Sequence, residues 1–136
     1  MRIHAHLTFH GNCRQAMTFY QRCLGGELTF QTVGECPYSA ALPASMKKCI
    51  VQATLVRDSL VLMGSDMVAD GGLIKGNAVT LALYCDSKAG IQRVYRKLAV
   101  GGHITHPLGR TVWGAFFAGV TDKFGNHWLL SSRVNT

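Results

Sequence analysis

The sequence predicts an α+β fold in which one βαβββ module occurs twice. A helix-like segment that ends in Gly-Gly occurs once in each half of the chain. Each of these segments follows one alternating apolar stretch and precedes three more. The 136 residues are 48% hydrophobic and 15% charged, which suits one domain over 1–136. We place the two modules at about 1–70 and 77–136, joined by a glycine-rich link at 71–76.

The first module begins with an alternating strand at 3–9. Asn12 is then a good helix N-cap, with Gln15 at the capping-box position. Gly25 and Gly26 supply the left-handed conformation that ends a helix. The helix between them has apolar residues at helical spacing: Ala16, Phe19, Tyr20, Cys23 and Leu24. Three strands follow, at 27–33, 49–56 and 60–63, the last two joined by a turn at 57–59.

The second module repeats this order. A strand at 78–85 precedes a helix that Asp86 or Ser87 caps and that Gly101-Gly102 ends. Its apolar residues are again helically spaced: Ile91, Val94, Tyr95 and Leu98. Strands are predicted at 103–106, 112–121 and 127–132. Each helix covers one face of its sheet, so we expect the two modules to form a curved cup whose bare faces hold a ligand.

Composition excludes several classes of function. The net charge is +7, but the basic residues are spread along the chain, which does not favour nucleic-acid binding. No apolar run is long enough to span a bilayer, and the first residues do not resemble a secretory signal. The five cysteines are scattered without a Cys-x-x-Cys pair, which predicts reduced thiols in the cytoplasm.

An ordered set of motifs resembles the PhnB-like branch of the vicinal oxygen chelate superfamily, the glyoxalase, bleomycin-resistance and dioxygenase proteins. The set consists of residues 7–20, Leu24-Gly25-Gly26, 62–67, Gly76-Asn77, Trp113-Gly114 and 122–128. The resemblance implies the fold described above, a small organic ligand and a homodimer. Proteins of this branch have often been labelled demethylubiquinone methyltransferases, but nothing here resembles the glycine-rich loop of a methyl-donor site.

The resemblance also implies where a metal would be held, because metal-dependent members carry ligands on the first and last strand of each module. Those positions map to Ala5, Leu62, Thr80 and Leu129, none of which is a useful ligand. We therefore expect no metal and no other cofactor. His4 and His6 alternate beside the first position, and a divalent metal held by them stays the alternative, with His127 as a candidate third ligand.

Strand alternation around those positions predicts the lining of the pocket. The predicted ligand-pocket residues are Phe9, Gln52, Leu62, Thr80, Trp113, Phe117, His127 and Leu129. Gln52 stands where PhnB-like relatives commonly carry a histidine, and an amide cannot act as a general base. It either orients a ligand or lies at a strand edge. Trp113 and Phe117 either stack on a planar ligand or pack beneath the helix. The stretch 34–48 is either a lid or a simple connection.

Three functions remain open at this stage. The first is a metal-free protein that binds a small organic ligand, neutral or anionic because a basic protein repels cations. The second is a lyase, isomerase or dioxygenase that uses a divalent metal. The third is an interaction module whose pocket is filled by its own side chains. No residue can be assigned a catalytic role.

Overall fold

The computed structural model describes residues 1–69 and 71–132, and these residues form two compact units, Met1–Ile74 and Lys75–Thr136. Each unit holds one βαβββ module, so the predicted α+β class and the internal repeat are confirmed. Asp70 and Arg133 lie outside the described residues. Within the described part of the chain, no helix has both the length and the apolar character needed to cross a membrane.

The first unit is a four-stranded mixed sheet with one main helix. Its elements are β1 (Ala5–Thr8), α1 (Cys13–Leu24), β2 (Glu27–Thr32), α2 (Ala44–Lys47), β3 (Ile50–Arg57) and β4 (Leu60–Ser65). The strand order is β1-β4-β3-β2, with β1 parallel to β4 and the other neighbours antiparallel. The predicted loop at 34–48 contains a 3₁₀ turn, Val33–Glu35, and the single turn α2, since Pro43 precedes Ala44 and suits a helix start.

The core of the first unit lies between α1 and one face of the sheet. On the sheet, Ala53 and Leu55 of β3 are fully buried. The helix buries the stripe that its apolar spacing predicts: Cys13, Ala16, Met17, Tyr20, Cys23 and Leu24. Phe19 of the predicted stripe is only half-buried and packs beside Tyr20, with ring centroids 5.7 Å apart. Burying these side chains is the main stabilising term for a unit of this size.

The second unit repeats the pattern. Its elements are β5 (Leu81–Cys85), α3 (Lys88–Leu98), β6 (His103–Arg110), β7 (Phe116–Thr121) and β8 (His127–Ser132). The order is β5-β8-β7-β6, with β5 parallel to β8. Ile91 and Leu98 of α3 are fully buried, as are Ala118 and Leu130 on β7 and β8. These four side chains place the core of this unit between α3 and one face of its sheet.

Strand bounds in the second unit differ from the prediction around the β6–β7 hairpin. Strand β6 continues through Pro107 to Arg110, because Pro107 sits on an edge strand where its missing N–H breaks no ladder bond. Strand β7 starts only at Phe116, and Trp113 belongs to the hairpin turn instead of the strand. His106, the last residue of the strand predicted at 103–106, therefore lies in the middle part of β6.

The end of α1 and the start of α3 follow the predicted signals, whereas α3 ends at Leu98 with Ala99 as its C-cap, ahead of the predicted Gly101-Gly102. Ser87 caps α3, and its hydroxyl accepts a hydrogen bond from the Gly90 N–H at 3.0 Å. Gly25 ends α1 with a φ of +78°, a conformation that favours glycine. Asn12 precedes α1 as expected, but its side chain makes no capping hydrogen bond. Another residue, described below, satisfies the amides at this helix start.

The thiol of Cys13, the first residue of α1, is fully buried. Burial first, and then the nearby Asp66 carboxylate, raise its pKa from the ordinary 9.0 to about 12. Because the pKa of the Cys13 thiol is higher in the folded than in the unfolded protein, the thiol adds to the free energy of unfolding below pH 9. This contribution is lost as the pH rises from 9 towards 12.

The stability difference between the wild type and a Cys13→Ala variant should therefore narrow above pH 9. The expected rate is about 1.4 kcal/mol per pH unit. Urea unfolding of both proteins at pH 8, 9 and 10 measures it. A difference that does not change with pH would contradict the assignment of a buried, protonated thiol.

Candidate functional site

Each sheet has one face under its helix and one uncovered face, and the register decides which residues lie on each. In the first unit Leu62 pairs with Leu55, and Gly64 pairs with Ala53. A Cβ added at Gly64 would lie 3.1 Å from the Met17 sulfur of α1, so this face is the covered one. Leu62 is accordingly only 4% exposed.

Two of the predicted pocket residues therefore need correction. Leu62 lies on the covered face, and Phe9 is 1% exposed and would contact a Cβ at Gly64. Both side chains belong to the core beneath α1 and do not face the uncovered side. Ala5, which pairs with Leu62, shares the covered face. A shift of one residue along a strand reverses the side-chain direction, and the predicted facing was off by one residue in this unit.

The uncovered face of the first unit is polar. Gln52 lies there, exposed, and its amide nitrogen is 3.5 Å from the Thr54 hydroxyl. His6 pairs with Met63 on the same face, and Met63 pairs with Thr54. His4 precedes β1 and is exposed. Gln52 therefore lies within the third strand, and its side chain is on the uncovered face of the sheet.

The uncovered face of the second unit is apolar and aromatic. Trp128 and Leu130 alternate into the core, so Leu129 and Ser131 face the other way. Leu129 pairs with Ala82, and Ser131 pairs with Tyr84 and Phe117. Tyr84 is 80% exposed. A monomeric surface seldom presents so many adjacent large apolar side chains without a use for them.

A cavity of about 620 Å³ opens on this face. Its lining includes four aromatic side chains and two hydroxyl groups: Tyr84, Trp113, Phe116, Phe117, Thr111 and Ser131. Ala82 and Leu129 line it as well, and Cys85 and Asp86 border it where β5 ends. Trp113, Phe117 and Leu129 were predicted as pocket residues, and the structure brings these three together.

The hairpin between β6 and β7 holds Trp113 at this cavity. The Thr111 N–H donates to the Ala115 carbonyl at 2.7 Å, and the Ala115 N–H donates to the Thr111 hydroxyl at 3.1 Å. Gly114 turns the chain with a φ of +90°. Trp113 remains 70% exposed. The hydrogen-bonded turn therefore holds the indole at the surface, and the indole is not buried in the core.

Phe117 is contacted by a residue of the neighbouring strand β6. The His106 ring stands edge-on to the Phe117 ring, with centroids 5.0 Å apart. Both lie on neighbouring strands, β6 and β7. Sequence reasoning missed Thr111 and Phe116 as lining residues. The Trp113-Gly114 turn was the signal that could have found them, since a turn brings its two flanking strands to the same place.

The remaining predicted pocket residues are placed elsewhere in the second unit. Thr80 is exposed in the segment just before β5. His127 begins β8, and its Nδ1 lies 2.9 Å from the Thr121 hydroxyl. Neither residue lines the cavity. His127 shares the uncovered face with Leu129 through strand alternation, at the far end of the strand from Ser131.

Two βαβββ units, each with an uncovered face, define a class of protein. The chain belongs to the Glyoxalase/Bleomycin resistance protein/Dioxygenase superfamily, whose family model matches residues 2–130. The resemblance to this superfamily inferred from the motifs is thereby confirmed, and a PhnB protein is among the structures that share the fold.

Particular relatives are similar over nearly the whole chain. Protein YjdN of Escherichia coli (strain K12) is 31% identical over 141 residues, covering 96% of this chain and 95% of that protein. The crystal structure of protein PA1353 from Pseudomonas aeruginosa is 37% identical, covers 98% of both chains and has a TM-score of 0.84. The PhnB protein from Bacillus cereus, at 23% identity and a TM-score of 0.75, covers 98% of this chain and 100% of its own, and shares the fold.

Proposed function

We propose that this chain is a small-molecule-binding protein of the PhnB-like type whose binding site is the cavity in the second unit. The cavity itself carries the proposal. Its volume of about 620 Å³ suits a small organic compound. Its lining joins apolar surface to a few polar groups, the combination that ligand sites use to gain affinity and orientation.

The side chains at the cavity favour a planar, aromatic ligand. Rings that are exposed in the free protein have contact area available for stacking, and Tyr84 and Trp113 are both largely exposed. Thr111 and Ser131 add hydroxyl groups that can both donate and accept hydrogen bonds. The alternative noted above for Trp113, core packing beneath the helix, is not favoured by its exposure of 70%.

The proposed site works without a divalent metal. On the uncovered faces, the first and last strands pair four sets of residues: His6 with Met63, Thr8 with Ser65, Ala82 with Leu129, and Tyr84 with Ser131. One imidazole among thioether, hydroxyl, phenol and aliphatic groups does not fit the ligand set that a zinc-like ion needs. Over residues 1–69 and 71–132, no three His, Cys, Asp or Glu side chains are grouped so as to hold a metal ion. The metal-dependent lyase, isomerase or dioxygenase stays the alternative.

The proposal includes a homodimer in the cytoplasm, with no nucleic acid or membrane as partner. Five free thiols support a reducing compartment. The homodimer rests on the resemblance to the superfamily alone. Light scattering after size-exclusion chromatography measures the mass in solution, and a monomer at micromolar concentration would contradict that part of the proposal.

A cavity-filling substitution tests the binding site. Naphthalene-2-methanol serves as a neutral planar probe, measured by calorimetry and by thermal unfolding. At a hundred times its dissociation constant it should stabilise the wild type by about 2.7 kcal/mol. Leu129→Trp should abolish this stabilisation, because the added ring occupies the cavity.

Met63→Trp is the matched control. Met63 holds the corresponding place in the first unit, paired with His6 as Leu129 is paired with Ala82. This variant should bind the probe like the wild type. If the wild type shows no stabilisation, or if both variants lose it equally, the cavity is not the binding site. Thermal unfolding with zinc, nickel, manganese and iron completes the test, and a stoichiometric ion lost in His6→Ala would favour the metal enzyme.

A further inference from the structure

The positive charge of the chain is concentrated in its second half. Residues 75–136 contain eight lysines and arginines against two acidic residues, whereas residues 1–74 contain six against five. The cavity lies entirely within the second unit. An excess of one sign of charge on a unit raises the concentration of ligands of the opposite sign near that unit. The uneven distribution therefore bears directly on what the cavity takes.

One of the two acidic residues of this half is already engaged inside the protein. Asp122 is 3% exposed. Its carboxylate accepts hydrogen bonds from the Phe124 and Asn126 N–H groups and from the Trp128 indole N–H. A carboxylate held in this way has little effect on an incoming ligand. Asp86, which borders the cavity, is the acidic group that remains to oppose an anion there.

Two cations sit on a ring that lines the cavity. The Lys88 ammonium lies 5.2 Å from the centroid of Phe116, and the Arg110 guanidinium carbon lies 5.2 Å from the same centroid. Lys88 comes from the first turn of α3, and Arg110 ends β6 and pairs with Phe116. Both side chains are exposed and neither lines the cavity, so each reaches a ligand there only by leaving the Phe116 ring.

We infer that the cavity selects planar aromatic anions, such as aromatic carboxylates or sulfonates, over neutral compounds of the same shape. This inference rests on the proposed function and adds the charge of the ligand to it. The aromatic body contacts Trp113, Tyr84 and Phe117, and the acidic group lies towards Lys88 and Arg110. An exposed cation that exchanges a ring for a carboxylate gains a charge-assisted hydrogen bond.

The experiment compares naphthalene-2-sulfonate with naphthalene-2-methanol by calorimetry at 50 mM and 300 mM salt. The anion should bind the wild type about tenfold more tightly at low salt, and the advantage should shrink at high salt. The Lys88→Gln/Arg110→Gln double variant should lose that advantage and keep its affinity for the neutral compound. Asp86→Asn should strengthen binding of the anion alone.

A variant with the same loss of charge in the other unit is the control. Lys47→Gln/Lys48→Gln removes two exposed or half-exposed lysines of the first unit and should leave both affinities unchanged. Circular dichroism checks that every variant is folded. Equal binding of both probes to the wild type would overturn the inference while the proposed function stands. If both double variants lost the preference for the sulfonate equally, the inference would also be overturned, since net charge and not Lys88 and Arg110 would then cause the preference. If neither probe binds, both proposals fail.

Discussion

Replacing Asp122 with alanine is expected to lower the free energy of unfolding by about 4 kcal/mol, the largest effect of any polar substitution considered. The Asp122 carboxylate is buried and accepts hydrogen bonds from the Phe124 N–H at 2.8 Å, the Asn126 N–H at 3.1 Å and the Trp128 indole N–H at 2.8 Å. Alanine removes this acceptor from all of these donors, next to the core residue Trp128. Urea unfolding followed by tryptophan fluorescence measures the loss, because both tryptophans lie in the second unit.

A double-mutant cycle separates the two roles of this carboxylate. Asp122→Asn keeps an oxygen for the turn amides but sets its own NH₂ group against the Trp128 indole N–H. Trp128→Phe removes that donor, so the combined variant should recover part of the stability that Asp122→Asn loses. A loss below about 1 kcal/mol for Asp122→Ala would contradict the account, since an unsatisfied buried donor alone costs that much.

Asp66 should give the second largest effect, a loss of about 3 kcal/mol in the Asp66→Ala variant. One carboxylate oxygen accepts the Gly11 N–H at 3.0 Å and the Cys13 N–H at 2.9 Å, and the other accepts the Ile50 N–H at 2.9 Å. The side chain thus joins the start of α1 to the start of β3, although Asp66 lies more than fifty residues after the two amides of the helix start. A melting temperature lower by roughly 10–20 °C is expected for a unit of this size.

Asn12→Ala is the informative control for Asp66. The position of Asn12 directly before a helix predicts that its side chain caps the helix. Loss of such a cap lowers the free energy of unfolding by about 1 kcal/mol. The Asn12 side chain makes no capping bond, so its replacement should change stability by less than about 0.5 kcal/mol. Circular dichroism during urea unfolding compares the two variants. An Asn12→Ala variant as unstable as Asp66→Ala would show that the helix start depends on Asn12 after all.

The two modules show how far strand facing could be predicted. Leu62 and Leu129 were given the same facing because both were mapped to the last-strand position of their module. In the first unit Leu62 lies on the same side of the sheet as Arg57, Leu60 and covered Leu55. In the second unit Leu129 lies on the same side as Thr121 and His127, which is the uncovered side. Equivalent positions of the two modules can therefore face opposite sides, because a shift of one residue along a strand reverses its side-chain directions. The facing of Leu129 was therefore right and that of Leu62 was wrong.

The order of the strands and of the two main helices, by contrast, could be predicted from the chain, whereas the short turns Val33–Glu35 and Ala44–Lys47 could not. Helices α1 and α3 are recognised by the helical spacing of their apolar residues and by the glycines that follow them. Both signals depend only on local backbone geometry. The alternation in β8 gave its bounds, 127–132, without error. Such signals need no knowledge of distant residues, which is why they survive in a single sequence.

The sequence alone thus determined the repeated βαβββ module, its helices and the family resemblance, because these follow from periodicities and turn residues that act over a few positions. The tertiary structure decided which face each strand turns to its helix, and with it the exclusion of Leu62 and Phe9 from the uncovered side. It also decided that Asp66, not Asn12, satisfies the amides before α1, and that Trp113, Phe117 and Leu129 border one cavity. Each of these facts depends on pairing between residues far apart in the chain, and no local pattern records that pairing.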